Sequence, residues 1–447
     1  MSTTVETGKK RTSSVRLIAT SLTLFSMFFG AGNLIFPPMI GVEAGTSFLP
    51  AITGFLLGGV ALPVLSIIVI ALSGTDLRDL SNRGGRIFGV IFSCAVYLSI
   101  GAFYALPRTG AVSFSTAVSP LTGWTSTSVS VIFNALFFAL AFYLSWKPGE
   151  IIDRLGKILT PLLLGLLTLL AIVSVFTFDG TPGAPSEQYA SHPLTAGILS
   201  GYLTMDSLGG LAFGIIVVTS FTRTGGGIGA KTVKRTSIAA TIAGGLLALV
   251  YLSLGLIGLK MPGAHAFDNG AELLSQASNL ALGPFGQIAF GLIVVTACMT
   301  TAVGLLVATS EFFARLIPKI RYETWLAGFA IISFIIASAG LNKVLAVAGP
   351  IIGLLYPVAI TIIFITIFTH PLRHITRCEL AFKLSAWTAS ALSILATLQD
   401  LGIAAESIEG FIGWLPGHAE SVAWVIPTIL MAIIGLVIDF RLARSRN

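Results

Sequence analysis

Three stretches place charged or oxygen-bearing groups where an apolar chain has no ordinary use for them. In "GYLTMDSLGGLAFG", Asp206 stands among apolar residues, with Gly209 and Gly210 just beyond it. An ionisable group inside an apolar span is costly and marks a functional site by default. Three roles suit it: contact with a substrate ammonium, contact with a coupling ion, or capping of the following helix by accepting its N–H groups. In "VTACMTTAVGLL", Thr300 and Thr301 put hydroxyls on neighbouring faces of one helix, with Ala297 a turn earlier. A hard cation takes such oxygen ligands, although threonines in apolar helices also bond back to their own backbone. In "FGAGNLIFPP", Phe29 to Pro38, two glycines, an asparagine and two prolines interrupt an otherwise apolar run. Gly30, Gly32 and Asn33 leave helical geometry at little cost, and Pro37 and Pro38 lack the N–H that a continuing helix uses. Such a break leaves either a kink for packing or two half-helix ends. In the second case, bare carbonyls of the first half face a cation, and free N–H groups of the second half face an anion such as a carboxylate.

The elements that carry these groups follow from composition. Of 447 residues, 55% are hydrophobic and 10% charged, and the mean hydropathy is +0.92. These values belong to an integral membrane protein rather than a soluble domain. Apolar runs long enough to cross about 30 Å of hydrocarbon recur along the chain. Twelve are read, at about 17–44, 48–73, 86–107, 126–146, 156–178, 197–222, 236–259, 285–314, 324–341, 344–369, 383–401 and 422–440. The fold class is therefore an all-α bundle, because lipid obliges each span to satisfy its own backbone.

Charge placement gives the topology. With a cytoplasmic N-terminus, all but three of the 26 Lys and Arg fall on inside segments; the exceptions are Arg108, Lys260 and Lys343. That is the asymmetry of the positive-inside rule, and it puts both termini in the cytoplasm. It also accounts for the net charge of +7 without a nucleic-acid surface. Residues 1–15 and 442–447 read as cytoplasmic tails around a single membrane domain, 16–441, which has lipid as its solvent. Cys94, Cys298 and Cys378 are too scattered for a metal cage or a disulfide framework. "TRTGGGIGAKT", Thr222 to Thr232, approaches a phosphate-binding loop, but Ala230 precedes Lys231 where that motif needs glycine, so it reads as a connector. Glu311 is expected to pair with Arg315, and Asp439 with Arg441.

Breaks in spans one and six are how a five-plus-five inverted repeat appears in sequence, since corresponding spans of both halves are discontinuous. Repeat one is placed at about 16–180, repeat two at about 195–370, and two additional helices at about 383–440.

The stretches "LFSMFFGAGNLIFPP", "FYALPRTGAVSF" (Phe103 to Phe114), "GYLTMDSLGG" and "ACMTTAVGL" resemble the bacterial branched-chain amino acid transporter family over essentially the whole chain. The resemblance implies a cation-coupled symporter that imports leucine, isoleucine and valine across the cytoplasmic membrane. An antiporter or a proton-coupled carrier of the same fold is the alternative. More distantly, "GAGNLIFPP" is similar to the Gly-x-Gly-Asn…Phe-Pro hinge of sodium-coupled carriers with the leucine-transporter fold. Carried over on that pattern, the carbonyls of Ser26, Phe29 and Ala297 and the hydroxyls of Thr300 and Thr301 form a Na+ site. The implied substrate contacts are Phe29, Gly30, Ala31, Gly32 and Asn33 of the first break and Leu203 and Asp206 of the second. Tyr97 and Tyr104 of the third span are candidates for the apolar pocket, as is Phe28. Two departures stand out. Asp206 falls where that fold has a small polar residue, and Ile35 and Phe36 precede Pro37 where it has a hinge arginine. A membrane enzyme or haem protein is disfavoured, because His192, His265, His370, His374 and His418 lie in loops or at span ends. No filter sequence of a channel stands out. The order of preference among the three substrates, the ion stoichiometry and the oligomeric state have no signature in the sequence.

Overall fold

A computed structural model describes residues 17–146, 150–222 and 229–445, with side chains described outside 150–160. The expectations for tail 1–15 and for the centre of the Thr222–Thr232 connector lie outside the described residues. All regular elements among the described residues are helices. Each of the twelve apolar stretches carries helix. By length and composition eight helices among the described residues qualify as membrane spans, or nine when the bent pair Pro193–Tyr202 and Asp206–Thr222 counts as one. Shorter apolar helices cover Leu17–Phe28, Pro161–Thr177 and Tyr322–Ser338.

The chain forms two compact units. The first comprises Met1–Ala61, Leu98–Asp206 and Ser237–Ala346. Its helices approach closely through glycine, the usual device where lipid supplies no hydrophobic drive between helices. A methyl on Gly54 would stand 2.0 Å from the Leu194 carbonyl oxygen, and one on Gly197 2.0 Å from that of Ala51, so the second span and the first half of the sixth meet backbone to backbone. Gly258, in Ala230–Lys260, lies equally close to the Pro38 carbonyl in Ala31–Ala44. Phe25, Phe55, Tyr104, Tyr251 and Phe290 fill the core. On a loop segment, the short helix Glu187–Ser191 buries Tyr189, whose hydroxyl lies 2.8 Å from Ser200 Oγ. Burial pushes this phenol up to about 12, which keeps it protonated.

The second unit comprises Leu62–Tyr97, Ser207–Thr236 and Val347–Asn447. Here the helix Val425–Arg444 packs on Glu379–Asp400 with Gly435 against Ala381. Asp439 does not act as a partner for Arg441. Its carboxylate accepts from the backbone N–H groups of Leu380 (3.3 Å) and Ala381 (3.0 Å), the first-turn donors that a helix cannot satisfy itself. Arg83 lies over the Phe382 ring and donates to the Arg377 carbonyl, while Trp387 Nε1 donates to Gly84.

Candidate functional site

Apart from Tyr97, the expected site residues sit in the first unit, on the two broken spans and on the third and eighth spans beside them. The first span ends its opening half at Phe28 and resumes at Ala31, so the break is Phe29–Gly30, narrower than the glycine and proline pattern implies. Asn33 is the reason. Its Oδ1 accepts from Gly30 N (3.0 Å), as the third residue of a capped helix does, and this starts the second half early. The same bond takes the Gly30 N–H that a continuing helix would give to the Ser26 carbonyl. Ala31, Gly32, Asn33, Pro37 and Pro38 are therefore helical; Asn33 N donates to the Gly30 carbonyl (3.2 Å), and the N–H groups of Ala31 and Gly32 precede the first acceptor of this half.

The sixth span breaks at Leu203–Met205, one residue before Asp206, and bends by 45°. Met205 adopts φ +64°, a left-handed conformation that is unfavourable for a side chain of its size. Gly209 and Gly210 lie inside the helix that follows rather than in the break. The carbonyls freed there are taken by a residue the charge pattern had put outside the membrane. Arg108 Nη1 donates to the Leu203 carbonyl (2.8 Å) and Nη2 to that of Thr204 (3.1 Å). Arg108 is 3% exposed, inside a third span that runs from Arg86 to Thr122 rather than ending near 107. Its guanidinium stacks over Tyr104 and donates to that hydroxyl (3.1 Å). It also fills the space beside Gly32, where a methyl would fall 2.3 Å from Nη2.

Asp206 is the first residue of the second half of span six, and its carboxylate leaves its own helix. Oδ2 accepts from Asn33 Nδ2 (2.7 Å) and from the Tyr251 hydroxyl (2.9 Å), and Asn33 Nδ2 also meets that hydroxyl. Asp206, Asn33 and Tyr251 are all at least nine-tenths buried. The carboxylate therefore ties the two breaks together and does not cap its helix.

The threonine pair divides. Thr300 Oγ1 donates to the Ala297 carbonyl (2.8 Å), the local bond expected of a threonine in a membrane helix. Thr301 Oγ1 is buried with no partner and stands beside the first break, 3.2 Å from the position of a methyl on Gly30. An unpaired buried hydroxyl next to a helix end with a freed carbonyl suits a hard cation. The Ser26 hydroxyl donates to the Thr23 carbonyl (2.8 Å).

Of the other expected contacts, Phe29 is buried and stacked on Phe25, and Ala31 and Ala297 are buried. Leu203 reaches the site through its carbonyl, and Tyr104 through Arg108. Tyr97 belongs to the second unit, where its hydroxyl donates to Ala212. Arg315 donates to the carbonyl of Glu311 rather than to its carboxylate. Two residues escaped sequence reasoning. Tyr251 is one tyrosine in a long apolar helix and carries no signal. Arg108 has one, an arginine inside "FYALPRTGAVSF", although the apolar run of the third span stops one residue before it. The third span is also irregular: Gly101 is non-helical and abuts Thr309, where a methyl would fall 2.5 Å from Oγ1.

Known proteins bear on this arrangement at two levels. In three dimensions the chain is similar to an inward-facing conformation of Mhp1, with a TM-score of 0.58 at 15% identity over 96% of this chain and 91% of that one. It is also similar to MhsT in complex with L-phenylalanine, with a TM-score of 0.55 at 17% identity over 94% and 98%. At such identities the likeness establishes the fold, which is that of the leucine transporter. In sequence, the branched-chain amino acid permease BrnQ of Corynebacterium glutamicum is 49% identical over 424 residues, 95% of each chain. The Bacillus subtilis permeases BrnQ and BraB are 38% and 35% identical, each over at least 95% of this chain. Residues 13–442 match the family described as branched-chain amino acid transport protein. The chain belongs to that family of membrane carriers.

Proposed function

We propose that the protein is a sodium-coupled symporter that imports leucine, isoleucine and valine across the bacterial cytoplasmic membrane by alternating access, with both termini in the cytoplasm. The relatives named as branched-chain amino acid permeases support the substrate class. The observation that carries the mechanism is the junction of the two breaks, where a buried carboxylate of span six meets Asn33 of span one and an unpaired threonine hydroxyl lies beside Gly30. In this reading the substrate ammonium approaches Asp206, and its branched side chain enters the apolar surroundings of the first break. Sodium is held by the Ser26, Phe29 and Ala297 carbonyls with the Thr301 hydroxyl, while Thr300 keeps its bond to the Ala297 carbonyl. Because the break at Gly30 is shared by ion and substrate contacts, filling one site orders the other, which is the basis of coupling. Sodium bound there favours one arrangement of the breaks only as far as it binds that arrangement better.

A proton-coupled carrier is the second reading, and the buried Asp206 carboxylate favours it. Uptake of labelled isoleucine into proteoliposomes decides between them. Accumulation is expected under an inward sodium gradient and not under a proton gradient alone. Accumulation driven only by protons overturns sodium coupling, and exchange that needs internal amino acid and no gradient overturns symport.

A further inference from the structure

Arg108 has hydrogen-bonding capacity that the fold does not use. A guanidinium carries five N–H donors in a planar fork. Nη1 spends its donors on Tyr104 and Leu203, and Nη2 spends one on Thr204. Nε is buried with no partner. A buried donor on a charged group is costly to leave unpaired. Nε and Nη2 share one edge of the fork, the edge that grips both oxygens of a carboxylate. The guanidinium lies against Gly32, whose N–H, like that of Ala31, precedes the first acceptor of its helix. The next residue, Asn33, is bonded to Asp206. A cation and an anion thus adjoin consecutive residues of one helical turn. An α-amino acid carries the complementary pair, ammonium and carboxylate, on one carbon.

We propose that Arg108 reads the substrate carboxylate, gripping it through Nε–H and Nη2–H while the ammonium faces Asp206. The inference rests on the transport reading above and deepens it: the site selects free α-amino acids over amides and amines with the same side chain. Arg108 also holds the break in span six, so a purely positioning role has to be distinguished from contact.

The discriminating pair of ligands is isoleucine and isoleucinamide, which share the ammonium and side chain and differ at the carboxylate. Binding of each to the purified full chain at saturating sodium is compared for wild type, Arg108→Gln and Arg108→Lys, with thermal unfolding of each variant recorded. In Arg108→Gln, isoleucine is expected to weaken about ten- to a hundredfold and isoleucinamide by less than about threefold, so that the preference collapses. Arg108→Lys, which keeps the charge and loses the fork, is expected to fall between. Should the glutamine variant fail to fold, the lysine variant alone carries the comparison. Equal weakening of both ligands in either variant overturns the proposal in favour of positioning, as does a wild type that does not distinguish them. A wild type that binds neither ligand overturns the transport reading itself, and this inference with it.

Discussion

The two broken spans solve one problem in opposite ways. A break inside the bilayer frees backbone groups that lipid cannot satisfy. The first span deals with this locally, because Asn33 turns back to take the Gly30 N–H and restart the helix. In the sixth, Thr204 Oγ1 accepts from Asp206 N (3.4 Å), but the freed carbonyls at Leu203 and Thr204 are taken by Arg108, 95 and 96 residues away in sequence. The first break therefore restarts its helix from within its own sequence, after two residues. The second depends on the third span, so whatever moves Arg108 moves the break and the Asp206 that follows it.

The largest expected effect tests that dependence. At Gly32 a methyl would meet three guanidinium atoms of Arg108 at 2.3–2.7 Å, and the guanidinium cannot withdraw without releasing its carbonyls. Gly32→Ala is expected to reduce isoleucine uptake by about a hundredfold or more, on the scale of several kcal/mol for a disrupted buried charged network. Gly30→Ala, where the nearest atoms are the Thr301 methyl and hydroxyl at 3.1 and 3.2 Å, is expected to be far milder. If proteoliposomes carrying Gly32→Ala take up isoleucine normally, Arg108 is not pinned and the contrast between the breaks fails.

The legibility of the two breaks differs for the same physical reason. A local solution leaves a local pattern, so Gly30, Gly32 and Asn33 point to the first break. They imply a longer unwound stretch than the Phe29–Gly30 break, because Asn33 works as a helix start. A distant solution leaves little trace. Gly209 and Gly210 drew attention one turn too late, while the residues that unwind, Leu203 to Met205, are unremarkable by type. The all-helical class was legible throughout, since hydropathy is additive along the chain. The capping of Glu379–Asp400 by Asp439 was not, because it depends on which helix packs beside which.

An intermediate effect is expected where the breaks meet. Asp206→Asn keeps the size of the side chain and an oxygen that accepts from Tyr251, and removes the charge. If the carboxylate recognises the ammonium, isoleucine affinity at saturating sodium falls about ten- to a hundredfold, the equivalent of roughly 1.5–3 kcal/mol for a charge-assisted bond. If Asp206 serves only to tie Asn33 and Tyr251 across the breaks, the asparagine substitutes well and calorimetry returns nearly wild-type affinity. The second outcome would make the junction a structural latch, leaving the ammonium to the backbone carbonyls of the breaks.

The smallest expected effect separates ion from substrate at the first break, and it turns on two adjacent threonines whose hydroxyls do different things. Thr300 Oγ1 already has the Ala297 carbonyl as acceptor, and truncating it removes one neutral local bond. Thr301 Oγ1 has no protein partner and adjoins Gly30, so on the proposed sodium site it is the hydroxyl free to serve as a ligand. Losing one of about five or six hard oxygens weakens the site without abolishing it, since carbonyls supply the others. In Thr301→Ala the sodium concentration for half-maximal isoleucine uptake is therefore expected to rise about three- to tenfold, or roughly 1 kcal/mol. The maximal rate should be little changed. In Thr300→Ala the midpoint should shift by less than about twofold, because its loss costs the ion nothing it was using. Equal shifts in both variants would mean that Thr300 rotates away from Ala297 when the ion binds. No shift in either would remove the eighth span from the ion site and leave the freed Ser26 carbonyl without the partner assigned to it here.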